Sequence, residues 1–371
     1  MKVAFFGDAK YIGAYEWIRF LAAQEDFEVH AIVFPGHERE IPGVRLHVLR
    51  GRLPGGKLRY FLCVPALKRV LREISPDLLI AYRVVSYGLA AGLSGFHPLV
   101  MAAQGMFIAS RATPRFSRAF ARRALKSADL LHAWAPIMTE NMLRLGANPD
   151  RILTLTRGVD AARFIPGPTP PPPLTLITTR QLERYYNFPT LIEAVGAVKH
   201  ALGGVRYWIA GEGSARAELE SLVEQKGLTG EIEFLGSVDR DRLPGILKQC
   251  HLYVAAVPSD GTSASMLEAM AAGVVPIVSD NESNRHWVTD GDGGRLVQAF
   301  DAAGYAAAIL EAWRSTDWRE SARIRNRALI EEKASWSRNM AVFVKAYREL
   351  AAGRAPIPTL EKVPRAGHSL P

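Results

Sequence analysis

Residues 252–297 read LYVAAVPSDGTSASMLEAMAAGVVPIVSDNESNRHWVTDGDGGRLV, and this stretch decides the fold. Leu252 to Val257 is apolar without alternation, the pattern of a strand buried on both faces, and Pro258 ends it. The loop Ser259-Asp260-Gly261-Thr262-Ser263 leads into a predicted helix over Ser265–Ala272, which Gly273 closes as a C-cap. Val275-Pro276-Ile277-Val278 is the next strand. Strand, loop, helix and strand in this order form a unit of an open parallel sheet, where loops at the carboxyl ends of strands line the ligand crevice. A loop that feeds a helix N-terminus offers backbone N–H groups and a positive dipole end, which suits phosphate.

Two carboxylates bracket this loop, Asp260 before it and Glu268 one turn into the helix. Carboxylates accept hydrogen bonds from hydroxyls in pairs. A phosphate cradle flanked by two of them suits a ligand with phosphates in the middle and polyols at both ends, such as a nucleotide-sugar. Plainer readings exist for each piece. Ser265-x-x-Glu268 is also a capping box, in which Glu268 holds only its own helix start. Asp260-Gly261 alone is a common turn. Asp290-Gly291-Asp292-Gly293-Gly294 lacks the alternating ligands and terminal Glu of a calcium loop and reads as a turn.

In combination these pieces resemble the signature of family 4 of the retaining GT-B glycosyltransferases (glycosyl transferases group 1), Glu-x7-Glu followed by Ala-Met-Ala-x-Gly-x-Pro-Val-Val. Here the pattern is Asp260-x7-Glu268, then Ala269-Met270-Ala271-Ala272-Gly273-Val274-Val275-Pro276-Ile277-Val278. Asp for Glu at the first acidic position keeps the charge and shortens the reach. The Asp290–Val297 run is similar to the family's turn and strand.

Composition sets the outer bounds. A chain of 371 residues has two domains as its prior expectation. A hydrophobic content of 48% with mean hydropathy near +0.01 fits a globular protein. The opening MKVAFFGDAKYIG is unlike a signal peptide, and no apolar stretch is long enough to span a bilayer. The net charge of +9 points to a phosphate-bearing ligand or an anionic membrane surface. Nucleic acid is disfavoured, because no zinc finger, RNP1 or KH loop is present. Cys63 and Cys250, far apart in apolar helical contexts, read as free core thiols of a reducing compartment. The expected setting is cytoplasmic, with peripheral attachment to the inner membrane face.

Outward from the deciding stretch, the chain alternates strands and helices, as a parallel sheet requires. Lys2–Phe6 is a strand, Gly7 to Gly13 a turn, and Ala14–Gln24 a helix. The resemblance places Gly7 and Gly13 against the donor. Gly105 is kept from a His-Gly-acid segment near the reacting sugar, but Gln104 stands where a His is common and no acid follows. Thr113–Lys126, with Arg115, Arg118, Arg122, Arg123 and Lys126 among Phe116, Phe120 and Leu125, is a basic amphipathic helix. It fits a membrane-surface or acceptor-phosphate contact, or simply a solvated helix face. The run from Gly158 to Phe164 is similar to the family's linker signature. Pro166–Pro173 is too proline-rich for regular structure.

The second half repeats the strand–helix pattern. Strand Leu174–Thr178 leads to Arg180 and Arg184, the cations available for a diphosphate where the family has Arg and Lys; the Lys position is Tyr186. Gly211-Glu212-Gly213 matches a family Gly-x-Gly. Asp239–Cys250 reads as a helix, and Trp336–Ala352 as a last helix.

The resemblance implies an α/β GT-B fold, two Rossmann-like doubly wound domains with an interdomain cleft. The expected boundaries are an acceptor-side domain over 1–165, a linker over 166–173, a nucleotide-sugar domain over 174–335, a returning helix over 336–352 and a disordered tail over 353–371. It implies sugar transfer from a nucleotide-sugar to an acceptor hydroxyl of a glycan, a lipid-linked or a small molecule, with retention and without a metal or other cofactor. Asp260, Arg180 and Gln104 are the expected catalytic residues. Glu268, Arg184, Gly7, Gly13, Gly211, Gly213, Gly261, Thr262, Ser263, Ser265, Met266 and Leu267 are expected to bind the donor. The competing readings are a non-catalytic nucleotide-sugar-binding module and an epimerase acting on the nucleotide-sugar itself.

Overall fold

Runs of buried Val, Ile, Leu and Ala between glycine turns build two parallel sheets. The computed structural model describes residues 1–51, 55–102 and 115–354. The chain divides into two compact units, Met1–Thr156 together with the chain from Met340 onward, and Arg157–Asn339.

The first unit contains β1 (Lys2–Phe6), α1 (Ile12–Ala22), β2 (Glu28–Val33), β3 (Val44–Val48), α2 (Arg59–Leu62), α3 (Val64–Ile74) and β4 (Leu78–Tyr82). A π-helical turn at Arg83–Gly88 follows, then α4 (Leu89–Ser94), β5 (Leu99–Ala102), α5 (Arg115–Ser127), β6 (Leu130–Ala133), α6 (Pro136–Arg144) and β7 (Ile152–Thr154). The sheet order is β3-β2-β1-β4-β5-β6-β7, all parallel where paired. The order reverses between β1 and β4, and such a reversal opens a crevice at the carboxyl ends of the two strands.

The second unit contains β8 (Thr175–Thr179), α7 (Phe188–Leu202), β9 (Arg206–Ala210), α8 (Arg216–Gln225), β10 (Ile232–Gly236), α9 (Leu243–Leu247) and β11 (Leu252–Ala255). It continues with α10 (Ala264–Ala271), β12 (Val275–Ser279), α11 (Glu282–Arg285), β13 (Arg295–Val297), α12 (Ala302–Arg314), α13 (Thr316–Lys333) and the start of α14 (Trp336–Ala351). Its order is β10-β9-β8-β11-β12-β13, the same winding, with the reversal between β8 and β11. Both sheets are therefore Rossmann-like and doubly wound, the α/β architecture the sequence pointed to.

Several boundaries differ from expectation for local reasons. The helix expected over Asp239–Cys250 is only Leu243–Leu247, because Pro244 lacks an N–H and is tolerated only in a first turn. The run Gly158–Phe164 and the prolines after it pack within the second unit. Val159 bridges to Ser335, Phe164 is fully buried, and the Gly167 carbonyl accepts from Arg323 Nη2 at 2.6 Å. The Pro170 carbonyl lies 3.0 Å from His251 Nε2. Prolines have no N–H to satisfy, but their carbonyls still accept, and here that fastens the segment down. From Met340, α14 belongs to the first unit, where Phe343 stacks on His132 at 4.4 Å and contacts Trp17 at 5.3 Å. Burial pushes the His132 imidazole down to about 3, so it packs there as a neutral ring.

Candidate active site

The switch point of the second sheet brings two loops together. β8 ends at Thr179 and delivers Arg180; β11 ends at Ala255 and delivers the Asp260 loop. Arg180 Nη2 donates to Asp260 Oδ2 and to Ser263 Oγ. Its side chain is only 13% exposed. Burial opposes its charge, but the Tyr253 and Tyr186 oxygens and the Asp260 carboxylate outweigh this and hold it above the ordinary arginine value. The Tyr186 ring lies 5.2 Å from the guanidinium carbon. An aromatic face thus stands where the resemblance led one to expect a second cation.

The glycines of the β9–α8 turn set the position of Arg180. A Cβ on Gly211 would lie 1.9 Å from the Arg180 carbonyl oxygen, and one on Gly213 2.3 Å from that of Leu182. This close approach permits Leu182 N to donate to the Glu212 carbonyl at 3.0 Å and Ala215 N to the Leu182 carbonyl at 2.8 Å. Gly211 and Gly213 therefore act through the backbone that carries Arg180.

Helix α10 starts two residues earlier than a Ser265 capping box requires. Ser263 is the N-cap, and its Oγ accepts from Met266 N at 3.2 Å. Ser265 lies inside the helix and pairs with Tyr253 Oη at 2.9 Å. Glu268 is thus too far along to cap, which removes the plainer reading of Ser265-x-x-Glu268. The Leu267 amide donates to the Ser263 carbonyl at 3.1 Å, and the side chains of Met266 and Leu267 are buried. Neither amide is open to a ligand. Those of Ala264 and Ser265 have no acceptor among the described residues, and they present the helix's positive end to the site.

Glu268 is buried to 17% exposure with Arg240 Nη2 3.9 Å away. Burial raises its carboxyl above the ordinary 4.5, opposed by the nearby charges of Arg240, Arg157, Arg163 and Arg180. A carboxyl that holds its proton more tightly when folded is stabilising at low pH. That contribution is lost as pH rises through the window from its unfolded value to its raised folded value, and above it the buried charge is a net cost. Glu268→Gln is therefore expected to raise the melting temperature of the ligand-free protein at pH 7–8 and to leave it unchanged near pH 4. The same change should weaken donor binding about tenfold or more, the roughly 1.5–3 kcal/mol of a hydrogen bond to a charged group. Melting curves at the two pH values and a nucleotide titration test both halves.

Arg184 is 84% exposed and pairs with Glu218 at 3.0 Å, so it stands apart from the Arg180–Asp260 cluster. Gly7 and Gly13 belong to the first unit, Gly7 after β1 and Gly13 buried in α1. Gly261 and Thr262 lie in the loop itself; a Cβ on Gly261 would meet nothing within 4 Å, so sterics do not demand glycine there. Gln104 and Gly105 lie outside the described residues.

The structure adds a supporting layer that sequence reasoning missed. Ser283 Oγ donates to the Asp260 carbonyl at 2.7 Å. Asn281 Nδ2 reaches the Val257 carbonyl at 3.3 Å, and Asn284 Nδ2 that of Ser279 at 2.8 Å. The Tyr185 hydroxyl donates to the Ser259 carbonyl. The available signal was the polar run Ser279–Asn284 directly after a fully buried strand, where ordinary loop residues would be exposed.

Comparison with known proteins agrees with this geometry. The family model "Glycosyl transferases group 1" matches residues 163–329, and "Glycosyl transferase 4-like" matches residues 2–134. The lipopolysaccharide core biosynthesis glycosyltransferase LpsE of Rhizobium meliloti is 28% identical over 323 residues, 83% of this chain and 88% of LpsE. Sucrose-phosphate synthase from Thermosynechococcus elongatus superposes with a TM-score of 0.79 at 17% identity, over 95% of this chain and all of that one. Anabaena Alr3699/HepE, solved with UDP, superposes with a TM-score of 0.78 at 15% identity, over 94% of this chain and 100% of HepE. These matches, over both doubly wound units, place the chain among the GT-B glycosyltransferases. Within that class the chain belongs to the glycosyl transferases group 1 family.

Proposed function

We propose that this transferase moves a sugar, with retention and without a metal, from a nucleotide-sugar to an acceptor hydroxyl during synthesis of a cell-surface glycan or glycolipid. The observation that carries the reading is Arg180 bound to Asp260 and Ser263 beside the open amides of Ala264 and Ser265. On donor binding Arg180 turns its N–H groups to the diphosphate, as a planar guanidinium does well. Asp260, freed from Arg180, accepts from the sugar hydroxyls, and Glu268 accepts from the ribose hydroxyls. Charge building on the leaving diphosphate is met by Arg180 and the α10 terminus, groups already oriented before reaction. A leaving-phosphate oxygen takes the acceptor proton on the same face, which preserves the anomeric configuration and needs no enzyme nucleophile. The names of two similar proteins lend support: LpsE acts in lipopolysaccharide core synthesis, and HepE was solved with UDP.

The deciding experiment offers UDP-, GDP-, ADP- and CMP-sugars with and without a glycolipid fraction, in EDTA. Nucleotide release that depends on acceptor, and a product of retained configuration by NMR, supports the reading. Binding without release points to a binding module, and an altered sugar without acceptor points to an epimerase.

Attachment to an anionic membrane surface is part of the same proposal. Among the described residues no helix is long and apolar enough to cross a membrane. The first unit does expose Leu58 at 57%, Leu62 at 51% and Phe120 at 40%, with Phe61 and Phe120 rings 5.2 Å apart. Arg118, Arg122, Arg123 and Lys126 are exposed on the same α5 helix as Phe120. Apolar residues with a basic rim suit insertion among anionic headgroups. Leu62→Ser with Phe120→Ser is expected to weaken sedimentation with phosphatidylglycerol vesicles by tenfold or more, since burying each side chain is worth roughly 1.5–3 kcal/mol. Unchanged sedimentation would remove this patch as the contact.

A further inference from the structure

The first sheet has its own switch point, between β1 and β4, and the groups gathered there have no role in the donor chemistry above. Asp8 follows β1, His37 follows β2, and Arg83 follows β4, three neighbouring strands in one sheet. Arg59 comes from α2, the short helix after β3. His37 Nδ1 lies 2.8 Å from Tyr87 Oη and 3.3 Å from Asp8 Oδ2. Asp8 Oδ1 also accepts from the Lys10 amide at 3.0 Å. The His37 Nε2 atom has no partner among the described residues.

Arg59 is the unusual member. Its guanidinium carbon lies 4.7 Å from the Phe34 ring centre and 5.1 Å from that of Tyr60, and Nη2 donates to Tyr60 Oη at 3.1 Å. Its Nε is buried and lacks an acceptor. Arg180 and Arg295 also bury an unpaired Nε, but each holds a carboxylate, Asp260 and Glu311 respectively. Among the described residues Arg59 holds none. Burial opposes the Arg59 charge, but Tyr60, Tyr87 and the Asp8 carboxylate outweigh this and hold it above the ordinary arginine value, while the inward Nε donor remains without an acceptor. Arg83 has a left-handed backbone, φ 82, rare for a residue with a side chain, and its guanidinium lies 5.0 Å from the Tyr11 ring. Such strain clusters where a ligand is held. Both arginines are within electrostatic reach of Tyr87.

We propose that Arg59, with His37 Nε2 and Arg83, binds a phosphoryl group, and that this group is carried by the acceptor as a phosphate ester or a diphosphate. The aromatic walls hold the planar guanidinium edge-on to the anion, so that paired N–H groups meet two phosphate oxygens. Asp8 accepts from the Lys10 amide, and its carboxylate beside His37 Nδ1 orients the imidazole; burial favours the neutral ring in the empty protein, so Nε2 donates to the anion once the ring takes up a proton with it. The word acceptor rests on the transferase reading; the anion site itself does not.

The test titrates the full chain with inorganic pyrophosphate by calorimetry, without metal. The Arg180→Gln background removes the main cation of the donor site. In that background Arg59→Gln is expected to weaken pyrophosphate binding by at least tenfold, and Arg59→Lys by less. The source of the phosphate is read from a second arm, vesicles of phosphatidylglycerol against vesicles of neutral lipid. Arg59-dependent binding to pyrophosphate indicates a soluble or diphosphate-linked group, and Arg59-dependent binding to anionic vesicles alone indicates a lipid headgroup. Either dependence supports the site, and loss of neither overturns it. A melting curve without ligand separates a structural role: Arg59→Gln should melt within a few degrees of the wild-type temperature, since it loses only the Tyr60 bond and the ring contacts, and a larger fall overturns the proposal. Donor binding by the Arg59→Gln protein is expected to be unchanged. If the transferase reading itself fails, the Arg59-dependent anion binding still stands or falls by these titrations.

Discussion

Arg180→Gln is expected to lower kcat/KM by roughly a hundred- to a thousandfold, the loss of about 2.7–4 kcal/mol seen when a preorganised donor to a developing negative charge is removed. Among the described residues Arg180 is the only charged side chain that reaches both Asp260 and the cap residue Ser263. No neighbour replaces it, because Tyr186 occupies the adjacent position and Arg184 is engaged with Glu218 on the surface. The same substitution strands the Asp260 carboxylate, only 20% exposed, without its cation. A fall in stability of about 1–3 kcal/mol follows from that loss. Two controls separate the effects. Arg184→Gln should stay within about twofold in kcat/KM, as expected for an exposed ion pair worth under about 1 kcal/mol. Asp260→Asn on top of Arg180→Gln should recover stability but not activity. Steady-state kinetics and melting curves on the three variants decide it. An Arg180→Gln protein within threefold of wild type would sink the assignment.

The fold could be read because its strands are buried on both faces and carry no competing signal. β1 has the boundaries that composition suggested, and β12 runs one residue past them, since each is a mainly apolar run between turn residues. Helix ends were less readable. The start of α10 depends on which of two serines turns its oxygen to the third amide. Ser263 and Ser265 are chemically alike; tertiary contact with Tyr253 assigns Ser265 to the strand side and leaves Ser263 to cap. Arg180 and Asp260 could be picked out because they stand, in the segments that follow β8 and β11, where the family resemblance places a cation and an acid. The layer behind them could not. Ser283, Asn281 and Asn284 look like any polar loop until the loop folds under β11's exit and their side chains become its hydrogen-bond partners. The switch-point cluster around Arg59 was equally hidden, because its members come from four separate loops and helices and α2 has only four residues.

The glycines separate positional from chemical roles most sharply. Gly213→Ala would place a Cβ 2.3 Å from the Leu182 carbonyl oxygen, 2.6 Å from its carbonyl carbon and 2.7 Å from its nitrogen. Backbone cannot rotate aside as a flexible side chain can, so the Arg180–Glu183 loop must shift as a whole. A cost at or above about 3 kcal/mol is expected, the upper end for overpacking. That corresponds to a fall of roughly 6–12 °C in Tm for a unit of this size. Because the shifted loop carries Arg180, activity should fall with stability even at temperatures where the protein remains folded. Gly211→Ala, with its Cβ 1.9 Å from the Arg180 carbonyl oxygen, should behave alike. Gly261→Ala is the counter-case. Its Cβ would meet nothing within 4 Å, so stability should change by less than about 0.5 kcal/mol. Any loss there must arise from a ligand approaching the loop, and it should appear as a raised donor KM. If Gly213→Ala melts as the wild type does, the loop is not held by the β9–α8 turn and Arg180 owes its place to Asp260 alone.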